Sequence, residues 1–204
     1  MDDHDDGPPP DTRPDPRTVA LERQDTLLLV IDVQEQSAAA MDAGARAAAL
    51  ANVERLVRAA LRLGLPVLST EQQPEALGPT LPSIAALLPA PPLAKLEYSI
   101  GNNKAIARAV LQSGRRQVLL CGLEAHVCVF QTARDLVRGG FAAFVVQDAV
   151  LSRTEQNRLL GLRLCERAGA TVTGVEAAIF DLLARAGTDE HRDIWSQREL
   201  VVVS

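Results

Sequence analysis

A chain of 204 residues that is 47% hydrophobic can bury one sizeable core, so a single domain is the expectation. The formal net charge is −5, and residues 1–17 (MDDHDDGPPPDTRPDPR) hold six Asp against two Arg, so they carry −4 of it and leave the body close to neutral. That balance offers no basic stripe to a nucleic-acid backbone, and no apolar run reaches the roughly 20 residues a membrane helix needs, which favours small-molecule chemistry over both.

Residues 1–23 lack the basic-then-apolar pattern of a secretory signal and read as an acidic, Pro-rich disordered tail, leaving 24–204 as the folded domain. TLLLVIDV (26–33) is a near-continuous aliphatic run suited to a central strand buried on both faces. From Ala45 to Leu63 the apolar positions fall on one helical face, with Gly64 as the stop. PVLST (66–70) is the next strand, and TEQQPEALGPT (70–80) reads as a long irregular loop. Helical character returns at 84–88 and 103–112. QVLLC (117–121) is a strand, followed by a helix from about Cys128 to Arg138, a strand at AAFVVQ (142–147), and a helix opened by a Ser152/Glu155 capping box and ending near Ala168. A strand at 170–173 and a helix near 177–186 complete the core. The alternation predicts a three-layer α/β fold, a doubly wound, mostly parallel six-stranded sheet with helices on both faces.

In such sheets ligands bind beyond the carboxyl ends of the strands. Asp32 follows five consecutive apolar residues there, as a turn cap or as a carboxylate with a task. Cys128 starts a predicted helix, whose dipole favours thiolate; the competing reading is a buried structural thiol, which also fits Cys121 and Cys165. Lys95 in isolation reads as a solvated lysine. His126 offers a Cys/His dyad in principle, but its place two residues before Cys128 fits a pocket wall better. Three cysteines without metal-type spacing are expected to be free thiols in the cytoplasm.

LLLVIDVQ, KLEYS, GLEAHVCVFQTARDL and QDAVLSR, in that order and spacing, resemble the isochorismatase-like cysteine hydrolases, and the resemblance runs from about Thr26 to Leu183. TEQQPEALGPT is similar to the isochorismatase-domain-containing branch. The family includes nicotinamidases and N-carbamoylsarcosine amidase. The resemblance implies Asp32 as general base, Lys95 as catalytic lysine, Cys128 as nucleophile, and a cis peptide joining Leu123 to Glu124. It also implies an oxyanion site at the backbone N–H groups of Glu124 and Cys128, with Gln34, Gln72, Tyr98 and His126 as substrate-binding candidates. A homo-oligomer, dimer or larger, is the family's habit.

Two departures narrow this. No histidine lies between His4 and His126, which argues against a metal nicotinamidase, so no metal or cofactor is expected. Vinyl-ether-cleaving isochorismatases lack the cysteine, so its presence points to acyl transfer at a small amide or related carbonyl. The alternatives are a non-catalytic ligand-binding or scaffold member of the same fold, and a flavin- or nucleotide-binding protein, against which stands the absence of a glycine-rich fingerprint after the first strand.

Overall fold

Every residue of TLLLVI is buried, as suits a strand covered on both faces. The computed structural model describes residues 20–196. Its elements in chain order begin β1 (Thr26–Ile31), α1 (Glu35–Ala39), α2 (Ala43–Arg62), β2 (Val67–Gln72), α3 (Pro74–Leu77), α4 (Pro82–Ala85) and β3 (Leu93–Lys95). A 3₁₀ turn (Ile100–Asn102), α5 (Lys104–Gln112), β4 (Gln117–Leu123), a π turn (Ala125–Val129), α6 (Phe130–Arg138) and β5 (Ala142–Leu151) follow. The chain then forms α7 (Glu155–Arg167), β6 (Thr171–Thr173), α8 (Val175–Leu183) and α9 (Asp189–Ser196).

The sheet has six strands in the order β3-β2-β1-β4-β5-β6, and every pairing is parallel. Alternation along β1 divides the core. Leu28 and Val30 pack with Val53, Leu56 and Val57 of α2 and Ile179 of α8, while Leu27, Leu29 and Ile31 pack with Ile106 of α5, Leu136 of α6 and Leu162 of α7. The three-layer α/β reading is therefore what the chain adopts, with β3 the one strand that no apolar run announced.

Several local expectations are corrected. The cap of α7 is Thr154, whose hydroxyl accepts from Asn157 N at 3.2 Å, and Ser152 lies outside the helix. The segment 70–80 is shorter as a loop than it reads, because β2 runs to Gln72 and α3 forms within it. β5 extends to Leu151, and α9 was not foreseen. Residues 1–19 of the predicted tail, and 197–204 at the other end, lie outside the described residues. Ala20 to Arg23, by contrast, belong to the folded body. Leu21 is buried in the core, Glu22 N donates to Gln117 Oε1 at 2.7 Å, and Arg23 Nε donates to Leu63 O at 2.7 Å.

Candidate active site

The strand order reverses between β1 and β4, where one crossover winds toward β2 and β3 and the others toward β5 and β6. Such a reversal opens a crevice at the carboxyl ends. Asp32 follows β1, Lys95 ends β3, and Cys128 sits on the π turn that follows β4, so the three come from three separate parts of the chain to the carboxyl ends of the strands.

Local backbone features aim each side chain. Asp32 has φ +50°, a left-handed conformation that Asp tolerates better than most residues; it breaks the strand alternation and brings the carboxylate beside Thr70. The Leu123–Glu124 peptide is cis, and the π turn that carries Cys128 runs directly into α6. Gly161 of α7 lies against this turn: a Cβ there would sit 2.5 Å from Ala125 C and 2.6 Å from His126 N. Only glycine permits that approach. Lys95 is placed by parallel pairing, with its Cα opposite that of Gln72.

Lys95 Nζ donates to Asp32 Oδ2 at 2.6 Å and to Gln72 Oε1 at 2.8 Å, and lies 3.8 Å from Cys128 Sγ. Thr70 Oγ1 donates to Asp32 Oδ1 at 2.7 Å. The ion pair is almost completely shielded from water, with side-chain exposures of 0% for Lys95 and 4% for Asp32. A buried pair of this kind is a weak source of stability, because desolvation of both ions offsets their attraction. The pair lies beside the Cys128 sulfur, beyond the carboxyl ends of the strands. Burial pushes the Cys128 thiol up to about 12, the Asp32 carboxylate adds to that rise, and Lys95 opposes it. Burial and the facing carboxylate thus favour the thiol, against the pull of the Lys95 ammonium toward thiolate. Cys121 and Cys165 are also free and buried, away from any Asp/Lys pair, and burial pushes both up to about 12.

The other candidates divide. Gln34, a substrate-binding candidate by resemblance, sits among backbone partners. It is fully buried, its Nε2 donates to Gln72 O at 3.0 Å and Gly78 O at 2.7 Å, and its Oε1 accepts from Gln72 N. Gln72 turns toward Lys95 and also donates from Nε2 to Leu96 O at 2.8 Å. Tyr98 is 55% exposed on the segment after Lys95. His126 Nδ1 lies 3.0 Å from Ser152 Oγ, and Glu124 Oε2 accepts from Arg153 N and Nε. Thr70 was missed; its signal is its position toward the carboxyl end of the second strand, where it is the register partner of Ile31. Among the described residues no group of three or more His, Cys, Asp or Glu is arranged to hold a metal ion.

A buried Cys, Asp and Lys lie together beyond the carboxyl ends of a 3-2-1-4-5-6 parallel sheet, and the architecture is that of a three-layer α/β protein. The chain belongs to the isochorismatase family: the isochorismatase domain matches residues 26–177. It is 38% identical over 144 residues to the secreted isochorismatase effector Isc1 of Phytophthora sojae, covering 68% of this chain and 69% of that protein. It is 30% identical over 174 residues to isochorismatase domain-containing protein 2 of Danio rerio, covering 85% and 87%. The solved structure of MAR1 ribonuclease from Caenorhabditis elegans superposes with a TM-score of 0.80 at 30% identity, covering 91% of this chain and 93% of that one.

Proposed function

We infer that this family member is a cysteine-dependent hydrolase of a small amide or related carbonyl compound, acting through a thioester. The observation that supports the reading is the shared contact of the buried Lys95 ammonium with the Asp32 carboxylate and the Cys128 sulfur.

Because burial favours the thiol, the nucleophile is made during attack. Asp32 takes the proton of Cys128 as sulfur bonds to the carbonyl carbon, and the carbonyl electron pair moves to oxygen. The N–H groups of Glu124 and Cys128 hold that oxyanion, a contribution worth about 3 to 4 kcal/mol in comparable sites. Collapse breaks the carbon–nitrogen bond, and the amine leaves with the proton from Asp32. Water then attacks the thioester, gives a proton to Asp32, and the sulfur recovers it as the acid departs. Lys95 balances the negative charge that passes between Asp32 and Cys128. No metal takes part in this scheme, and none of its steps needs a cofactor.

A homo-oligomer, dimer or larger, and a cytoplasmic setting belong to the same reading. The exposed Leu96 and Tyr98 beside Lys95 offer apolar surface to a second copy, and the three cysteines are free thiols. No helix among the described residues is long and apolar enough to cross a membrane. The nematode protein's name is that of a ribonuclease, but the Lys95 ammonium here is buried and turned to Asp32 and Gln72, not offered to a phosphodiester. The non-catalytic ligand-binding reading is weighed against the presence of all three reactive groups in contact.

The test is a turnover screen over amides, ureides, esters and RNA with Cys128→Ala as control, repeated after dialysis against a chelator. Hydrolysis of a carbonyl substrate that disappears in Cys128→Ala and survives chelation is the expected result. RNA cleavage, or turnover that persists in Cys128→Ala, would contradict it.

A further inference from the structure

A fully buried ammonium has three N–H donors, and each needs an acceptor or its burial is costly. For Lys95, Asp32 Oδ2 takes one at 2.6 Å, Gln72 Oε1 takes another at 2.8 Å, and Cys128 Sγ lies at 3.8 Å for the third. Sulfur is the weakest of these acceptors and would not hold the ammonium by itself. The direction of the third donor is therefore set by the other two.

Of those two, Asp32 is the group whose charge state changes in the proposed reaction, whereas Gln72 is neutral throughout and held on several sides. Its backbone N donates to Gln34 Oε1 at 2.8 Å, its Nε2 donates to Leu96 O at 2.8 Å, and Gln34 Nε2 returns to its carbonyl at 3.0 Å. Gln34 is anchored in turn to Gly78 O. The chain Gly78, Gln34, Gln72, Lys95 is thus a continuous polar brace from the segment after α3 to the ammonium. An amide suits its last link. An apolar group there would leave a buried N–H unpaired, and a carboxylate would put a second anion beside Asp32 and draw the ammonium from the sulfur.

We propose that Gln72 is a positioning residue that aims the Lys95 ammonium at the Cys128 sulfur, with Gln34 as the brace that fixes Gln72. The proposal rests on the reading of Cys128 as the nucleophile, and it assigns Gln72 to the frame of the site, not to the substrate.

Iodoacetamide alkylation of Cys128 in the full chain, followed by peptide mass spectrometry across neutral to alkaline pH, tests it without any turnover. Thermal melts of the same proteins report folding. Gln72→Met keeps the length and bulk of the side chain but removes the acceptor, and should slow alkylation about tenfold at a given pH, equivalent to moving the profile up by about one pH unit. Gln72→Glu keeps an acceptor oxygen but adds negative charge, and should also slow it. If Gln72→Met reacts as fast as the wild type or faster, with an unshifted profile, the proposal fails whatever the melting temperature does. Should Gln72→Met not fold, Gln72→Glu decides by the same criterion. Failure of the substrate screen would leave this result standing, and an unshifted profile in an enzyme with turnover would remove Gln72 alone.

Discussion

Two donors of different kind hold Asp32, the Thr70 hydroxyl on one carboxylate oxygen and the Lys95 ammonium on the other, and this fixes the carboxylate plane beside the thiol. Sequence reasoning reached Asp32, Lys95 and Cys128 because each is a costly residue for its position or lies in a family motif. Thr70 was out of reach because a threonine in a strand is ordinary. For Cys128 the helix dipole is visible in the chain, whereas its 6% exposure and the facing carboxylate, which push the thiol up, are tertiary facts. The sign is clear. A thiol raised to about 12 is protonated below that pH, so alkylation of Cys128 should keep rising with pH through the mildly alkaline range and show no plateau near neutrality. Cys128 should still react before Cys121 and Cys165, which are fully buried. A plateau near pH 7, or earlier labelling of Cys121 or Cys165, measured by peptide mass spectrometry, would contradict this account.

Close approach between elements, more than any long-range force, places the reactive groups. β1 and β4 meet at Gly122, whose φ is +114° and where a Cβ would stand 2.0 Å from Ile31 O. Gly161 does the same between α7 and the turn carrying Cys128. Both glycines are plain in the sequence, but which backbone each one meets is a tertiary fact. The long strands and amphipathic helices were legible because their periods extend over several residues. β3 was not, since three residues after a proline pair give no period to read. The α7 start was misplaced by two residues because Ser152 offers the capping-box spacing while the backbone caps at Thr154. Gly161→Ala would force α7 and the π turn apart, and such overpacking typically costs about 1 to 3 kcal/mol. The expected result is a lowered melting temperature together with a fall in kcat, as Cys128 moves from Lys95. An unchanged melting temperature and kcat would show that the contact is not close in solution.

At the scale of the whole molecule, the buried thiols tie stability to alkaline pH. Cys121, Cys128 and Cys165 rise from 9.0 to about 12 on folding. The folded value lies above the unfolded one, so these groups stabilise the fold fully below pH 9, and that stabilisation is lost as pH rises toward 12. The urea midpoint should therefore fall over this interval, and fall less steeply in Cys121→Ala, which removes one of the three. Parallel curves for the two proteins would contradict the assignment. At the entry to the fold the acidic composition runs up to Arg17, but the fold takes hold by Leu21, where one buried leucine and the hydrogen bonds of Glu22 and Arg23 secure the chain to β4 and to the end of α2.

The central claim is that Asp32 takes and returns the proton of Cys128. Asp32→Asn keeps the shape and can still meet Thr70 and Lys95, but an amide does not accept a thiol proton at neutral pH. With a substrate from the screen, kcat of Asp32→Asn measured on protein verified as folded is the most direct test. Loss of a general base typically lowers rate by about 10² to 10⁴-fold. A fall of that size, with Asp32→Asn in Cys128→Ala hardly worse than Cys128→Ala alone because the residues act as a unit, is the predicted result. A near-normal kcat in folded Asp32→Asn would contradict it.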